Sequence, residues 1–474
     1  MKRKILPLVC LILLISTDCF SATTFIPRLT LQEEYSDNIY LASDNKLADY
    51  ITTISPGGTL DVRGRTAGLI LDYEPSYVIY HRYSDNDTLR HNGFINLWAD
   101  FSRRTRFEAS NTVLYTEEPF SEFDTTIRTG RDTYLSNIAT VNLYHQFGPE
   151  DSWNLGYTHR MLDNEDDYIE DTQRHEPYFI LTYWPLENEW GTETALRYRK
   201  GLYEEALYEE SDEEASEYEQ SDDFDFYSGS FRLIKRFDHN INGFIRYTHS
   251  IMEYDGLTEN YNLHEVGPGV SYDIDENTNL SLEIMYLYRD RETSDDEQRL
   301  LFVSEIHKNW DLSRSTLQVS GASGYEPDTF GAESMGFNLY AQLEAIYEYG
   351  FSRQLQWDVF GRARYDKYID VDPERVDNTF RTGTGFTYQA LNWAELRLEY
   401  AYRQVFSEIY EYEHIENRVL LQLVLMPAWG QEESEDDSLR DRLDRRDQFP
   451  ERNSSEDESE RSNRRNVDDE TEDR

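Results

Sequence analysis

The stretch Asn279-Leu280-Ser281-Leu282-Glu283-Ile284-Met285-Tyr286-Leu287-Tyr288-Arg289 decides the fold. One parity carries Leu280, Leu282, Ile284, Tyr286 and Tyr288, and the other carries Ser281, Glu283, Met285, Leu287 and Arg289. A strand sends successive side chains to opposite faces, so this segment has one apolar face and one face that bears its charges; helical spacing would scatter those charges around the whole surface. The same split separates Leu396, Leu398, Tyr400 and Tyr402 from Arg397, Glu399, Ala401 and Arg403. It also separates Phe337, Leu339, Ala341, Leu343, Ala345 and Tyr347 from Asn338, Gln342, Glu344 and Glu348. Segments 192–199 and 356–366 repeat it, with Arg197, Arg199, Arg362 and Arg364 on the charged parity, while Trp184 and Phe360 are aromatic exceptions there. From about Arg28 to Trp429 the chain is a succession of such segments. Lipid facing every second residue writes this pattern, so the reading is all-β: an antiparallel transmembrane outer-membrane β-barrel.

The connections give strand number and orientation. Short turns near Gly64-Arg65, Ser102 to Arg104, Gly148 to Ser152, Glu187 to Glu189, Asp238 to Asn240, Asp275 to Asn277, Asn309 to Leu312, Gly350 to Arg353 and Leu391-Asn392 alternate with ten longer, mostly acidic segments. Bacterial barrels keep short turns in the periplasm and long loops outside. Ten loops and nine turns make about 20 strands, within a range of 18 to 22, with both termini periplasmic.

Lys2, Arg3 and Lys4 precede an uncharged run from Ile5 to Thr17, and small residues follow that suit cleavage after Ser21 or Ala22. Residues 1–21 therefore read as a secretory signal peptide, 22–430 as the barrel and 431–474 as a tail. Asp18 before Cys19 argues against a lipidated cysteine, and both Cys10 and Cys19 leave with the signal. Without disulfides, stability has to come from a continuous hydrogen-bonded scaffold. Val419 to Trp429 is the most apolar later stretch and is too short for a spanning helix, which needs about 20 residues.

The formal charge is −47 and the mean hydropathy −0.77, yet the chain holds 36 Tyr, 23 Phe and 8 Trp, far too many aromatics for an acidic disordered protein. A wide barrel accounts for both, since lumen and loops meet water while Tyr and Trp settle at the membrane interfaces. The tail, residues 431–474, has 18 acidic residues, nine Arg and no Lys, cannot bury a core, and is expected to be disordered. It reads either as a solvated extension or as a tether to peptidoglycan or a periplasmic export partner.

Glu34-Tyr35-Ser36-Asp37-Asn38-Ile39, with Asp49-Tyr50-Ile51-Thr52-Thr53-Ile54-Ser55-Pro56-Gly57-Gly58, resembles the opening region of the β-barrel porins of the porin 2 type, which often accompany exopolysaccharide biosynthesis clusters. The resemblance implies an outer-membrane pore, with polysaccharide export as one use and no catalytic residues. Read without it, the same residues are a first strand, an outer loop and a second strand bent at Pro56-Gly57-Gly58.

Candidate lumen-lining residues are Arg197, Arg199, Arg246, Arg289, Arg362, Arg364, Arg397 and Arg403, with Glu283, Asp358 and Glu399 on the same parity. They form either an arginine ladder that conducts an anionic solute or polymer, or ion pairs that brace a wide barrel. Glu204, Glu205, Glu209, Glu210, Asp212, Glu213 and Glu214 crowd one outer loop without a compensating Lys or Arg. Such carboxylates suit diffuse binding of divalent cations shared with lipopolysaccharide, although the ligand order of a defined calcium loop is missing. With acidic mouths, weak cation preference for small ions is expected. No cofactor is implied, and nucleic acid is excluded as a partner because the exposed parts repel phosphate. Two other classes compete: a surface adhesive barrel with a closed lumen, and an outer-membrane hydrolase. The best acid/base grouping for the latter is His81 and His91 near Asp85 and Asp87.

Overall fold

In the computed structural model, the described residues are 20–119, 130–166, 169–186, 189–204, 223–256, 258–275, 277–327, 336–370 and 375–427. The expected signal peptide up to residue 19, the expected tail, Trp429 and most of the acidic loop lie outside them. The chain forms β1 (Phe20–Ser36), β2 (Asp49–Gly64), β3 (Ala67–Tyr80), β4 (Thr88–Ser102), β5 (Thr105–Thr116), β6 (Tyr134–Gln146), β7 (Ser152–Asn164), β8 (Asp171–Leu186), β9 (Trp190–Glu204) and β10 (Phe224–Asp238). It continues with β11 (Ile241–Tyr254), β12 (Tyr261–Asp275), β13 (Thr278–Arg291), β14 (Glu297–Asp311), β15 (Ser315–Glu326), β16 (Asn338–Gly350), β17 (Leu355–Tyr368), β18 (Arg375–Leu391), β19 (Ala394–Ser407) and β20 (His414–Leu425).

Each strand pairs antiparallel with its sequence neighbours, and β1 closes the sheet on β20. Connections at one end run from two to five residues and at the other from five to 19, as the turn chemistry predicts. Twenty strands about 4.8 Å apart, tilted by about 40°, give a backbone ring about 40 Å across. Inward side chains alone do not fill such a ring, so lumenal access depends on the loops.

The alternation holds where it was read. In β13, Leu282, Ile284 and Tyr286 are 43–46% exposed, whereas Glu283, Met285, Leu287 and Arg289 are at most 5% exposed. The apolar outward face continues through Leu71, Leu196, Ile245, Leu343, Leu398 and Leu421 around the ring, placing the barrel in the outer membrane with its termini periplasmic. Inward aromatics have a specific cause. Trp98 lies on Gly68, Trp184 on Gly191 and Phe360 on Gly383 of the adjoining strand, and a Cβ at Gly383 would stand 2.5 Å from the Phe360 ring. A ring flattened over a glycine stays against the wall, which lets Trp184 and Phe360 sit on the polar parity.

Three expectations need correction. The last strand ends at Leu425, about four residues earlier than its apolar run suggests, because β20 keeps register with Ala394–Val405 of β19. Phe337 does not face lipid: it follows Gly336, whose φ is +61°, and turns inward to stack on Tyr325 at 5.2 Å. The first long connection, expected outside, also folds inward, as described below.

Candidate pore wall and mouth

The opening motif is the clasp of the barrel. The β1–β20 seam has only eight paired positions, Leu29↔Leu425 to Ser36↔Arg418. Its polar residues add cross-seam bonds: Ser36 Oγ donates to Glu416 (2.8 Å), and Asp37 accepts from the Asn417 backbone N–H and side-chain amide (both 2.7 Å). The Asn38 amide donates to Ile415 O (3.1 Å), and Arg418 pairs with Glu34 (2.6 Å). Pro56-Gly57-Gly58 has a local role as well. The strand stays continuous and in register with β1; Gly57 is paired with Arg28, and a Cβ there would stand 3.0 Å from Tyr73 O and 3.1 Å from Glu74 Cβ, so the glycine lets Glu74 of β3 lie close against β2. Arg28 passes over β2 to reach Asp72 (3.0 Å) and Glu74 (2.6 Å) on β3.

The first and third long connections lock to each other inside the outer mouth. Ile39 packs on Ile51, Val78 and Tyr80 of the inner wall, and Leu41, at φ +52°, is buried as well. Arg131 donates to Ile39 O (2.6 Å), Tyr80 Oη (2.9 Å) and Glu118 (2.9 Å), and the Gly130 N–H donates to Tyr40 O (3.0 Å). Glu118 also meets Arg90 at 2.7 Å and Arg418 at 3.9 Å, joining this knot to the seam. Burial works to raise the Glu118 carboxyl; the Arg131, Arg90 and Arg418 guanidiniums outweigh it and hold the carboxyl well below the usual carboxylate range. Parity and turn chemistry did not reveal this knot, although an apolar Ile39 and Leu41 inside a polar loop were its one signal.

All eleven candidate lumen residues lie on the face opposite the apolar belt, and carboxylates accompany most of the arginines. Arg199 pairs with Glu176 (3.1 Å), Arg246 with Glu283 (2.7 Å) and Arg289 with Asp370 (2.8 Å). Arg364 pairs with Asp366 (2.8 Å), Arg397 with Asp358 (2.9 Å) and Glu399 (2.8 Å), and Arg403 approaches Glu416 at 4.0 Å. Arg197 stands between Tyr178 and Ser228 of the flanking strands, and Arg362 faces Glu344. Rings back several of these cations: Arg199 lies over Phe226, Arg289 over Tyr261 and Arg364 over Tyr340, 4.0–5.5 Å from the centroids.

Register adds what parity did not show. Arg362, Arg381 and Arg403 occupy directly paired positions on β17, β18 and β19, as do Arg160 with Arg174 and Arg232 with Arg246. Like charges opposite one another across strands destabilise a sheet, so these rows depend on flanking carboxylates such as Glu193 on Arg232 (3.4 Å) and Glu283 on Arg246.

The hydrolase grouping is not assembled. His81 turns to Thr52 (2.8 Å) and Glu33 (3.8 Å), His91 to Tyr73 (2.7 Å), and Asp87 accepts the Tyr80 backbone N–H. Of the proposed cation loop, only the backbone of Glu204 falls within the described residues. Among the described residues, no three His, Cys, Asp or Glu come together as a metal cage.

Residues 23–149, which span β1 to β6, match the profile of the family described as "Putative beta-barrel porin 2", bearing out the resemblance carried by Glu34–Ile39 and Asp49–Gly58. No curated protein matches the sequence. Among solved structures, the FrpB iron transporter from Neisseria meningitidis is 11% identical with a TM-score of 0.50, covering 86% of this chain and 83% of that one. A ferric enterobactin receptor (PfeA) from Pseudomonas aeruginosa is 7% identical with a TM-score of 0.50, covering 86% and 82%. At such identities the likeness establishes the fold alone.

Proposed function

We propose that the porin-type barrel is an outer-membrane channel for an anionic solute or polymer, with exopolysaccharide export as its specific use. The observation that carries this reading is the set of arginine rows on the inner wall, above all Arg362, Arg381 and Arg403. A wall needing only internal ion pairs has no reason to set guanidiniums opposite one another, whereas a passing anion turns that cost into a binding step. Flanking carboxylates keep each step shallow enough to release the solute. The match of β1–β6 to a porin family supports the same reading. A tail bound to peptidoglycan or to a periplasmic export partner would place the channel at the end of an export route, and diffuse cations at the acidic loop would bridge it to lipopolysaccharide.

A closed adhesive barrel is the second reading, favoured by the inward knot around Arg131. Single-channel conductance in planar bilayers separates the two. Steady steps in the wild type, with the weak cation preference for small ions made stronger by Arg381→Gln, support the channel. Silence in both the wild type and Arg131→Ala, which unlocks the knot, overturns it.

A further inference from the structure

We propose that the outer surface of the barrel carries two equivalent binding sites for a divalent transition metal such as Zn²⁺, each made by a cross-strand pair of histidines. Tyr157-Thr158-His159 on β7 and Tyr247-Thr248-His249 on β11 are the same tripeptide, and the next strand in each hairpin brings a His-Glu pair beside it, His175-Glu176 and His264-Glu265. Register sets His159 directly opposite His175, and His249 directly opposite His264. The ring centroids are 4.8 Å and 4.5 Å apart. In both hairpins the tyrosine hydroxyl is bonded to Nδ1 of the second histidine, Tyr157 to His175 at 2.7 Å and Tyr247 to His264 at 3.0 Å. That bond fixes the ring and leaves its Nε2 as the nitrogen available to a ligand.

These side chains lie on the outward parity, three to five residues from the strand ends that carry the long connections. Nearer the long connections the same parity carries Asp163, Gln173, Glu253 and Asn262, so the histidines stand where the outward face turns polar, at the aqueous edge of the apolar belt. Zinc bonds imidazole nitrogen at about 2.0–2.1 Å, which sets two nitrogens of one tetrahedral ion about 3.3 Å apart. The His249 and His264 rings are stacked within 3° and those of His159 and His175 are inclined by 39°, so the histidines must rotate about their side-chain bonds to turn two in-plane nitrogen lone pairs onto one ion. Imidazole selects Zn²⁺, Ni²⁺ or Cu²⁺ over Ca²⁺ and Mg²⁺, which prefer oxygen ligands. With two protein ligands per site, water completes the coordination. Hairpin β3–β4 is a control within the molecule: Tyr73 bonds His91 at 2.7 Å in the same manner, but Pro75 stands opposite His91. A tyrosine and one histidine thus suffice for an interfacial girdle, and the second histidine in the other two hairpins is the extra feature.

The test is calorimetric titration of the full refolded chain in detergent with ZnCl₂, in millimolar CaCl₂ to occupy the acidic loops. Two equivalents are expected in the wild type, one in His159→Gln, one in His249→Gln, none in the double variant, and two in His91→Gln. No zinc uptake by the wild type overturns the proposal, as does uptake unchanged in the double variant. These are surface substitutions, and heat-modifiable migration shows that each variant is folded.

Discussion

Replacing Arg28 with alanine should be among the most destabilising single changes in the barrel. Its side chain is 2% exposed, and its partners Asp72 and Glu74 are 13% and 12% exposed, so removing the cation leaves two half-buried carboxylates on one wall without their counter-charge. Breaking a buried pair by deleting one partner costs about 3–5 kcal/mol, a fall of about a hundredfold to a few thousandfold in the folding equilibrium constant. Arg63 is the matched control: it also pairs with a carboxylate, Asp61 at 2.7 Å, but its side chain is 56% exposed, so Arg63→Ala should cost at most about 1 kcal/mol. Urea unfolding from lipid vesicles, followed by tryptophan fluorescence, measures both. A further variant combining Arg28→Ala with Asp72→Asn and Glu74→Gln removes the stranded charge and should recover more than half of the loss. If Arg28→Ala costs no more than Arg63→Ala, water reaches the cluster and the argument from burial fails.

Gly383→Leu should push the Phe360 ring off the wall at a cost of about 1–3 kcal/mol, and Phe360→Ala in the same chain should reduce that penalty; independent, additive effects in the same urea assay would refute the ring-on-glycine packing. Because the folded-state pKa of Glu118 is depressed, its contribution to holding the mouth is complete above the unfolded value of about 4.3 and is lost only as pH falls through the lower folded value. Any change in conductance between pH 7 and pH 5 should therefore be the same in the wild type and in Glu118→Gln, and a change that this substitution abolishes would show that Glu118 titrates in that range and is not held by its arginines. Deleting residues 431–474 should leave heat-modifiable migration intact, and its loss would show that the tail takes part in folding.

Strand periodicity and turn chemistry made the barrel legible, since both are local properties: the parity of Leu282 against Glu283, or the shortness of Asp238 to Asn240, needs no knowledge of distant residues. The same parity placed Arg246, Arg289 and Arg397 on the inner face. What stayed hidden was the product of long separations. Asp37 and Asn417 are 380 positions apart, and nothing near either residue names the other. The row Arg362–Arg381–Arg403 depends on register across three strands, which period-two alternation does not supply. Phe337 misled for a related reason, because the left-handed backbone at Gly336 breaks the phase of the alternation just before β16 begins.

The clasp also makes the barrel mechanically uneven. The β18–β19 pairing has 14 paired positions and β1–β2 has 16, against eight at the seam. Only β14–β15 is as short, with eight paired positions of its own, and a force applied at Leu425 and directed out of the membrane loads the seam first because β20 forms one side of it. Once the bonds of Glu34, Ser36, Asp37 and Asn38 yield, the ring becomes a ribbon with β20 at its free edge. Extraction then proceeds hairpin by hairpin from that edge. Opening the seam frees no long stretch of chain; parting β18–β19 then releases Ala394 to Leu425, 32 residues by number (425 − 394 + 1), or about 110 Å of contour at roughly 3.4 Å per residue. A stretching trace of the barrel should therefore show an opening event followed by a step of that length, and Asp37→Ala should lower the force of the opening while leaving the later steps unchanged.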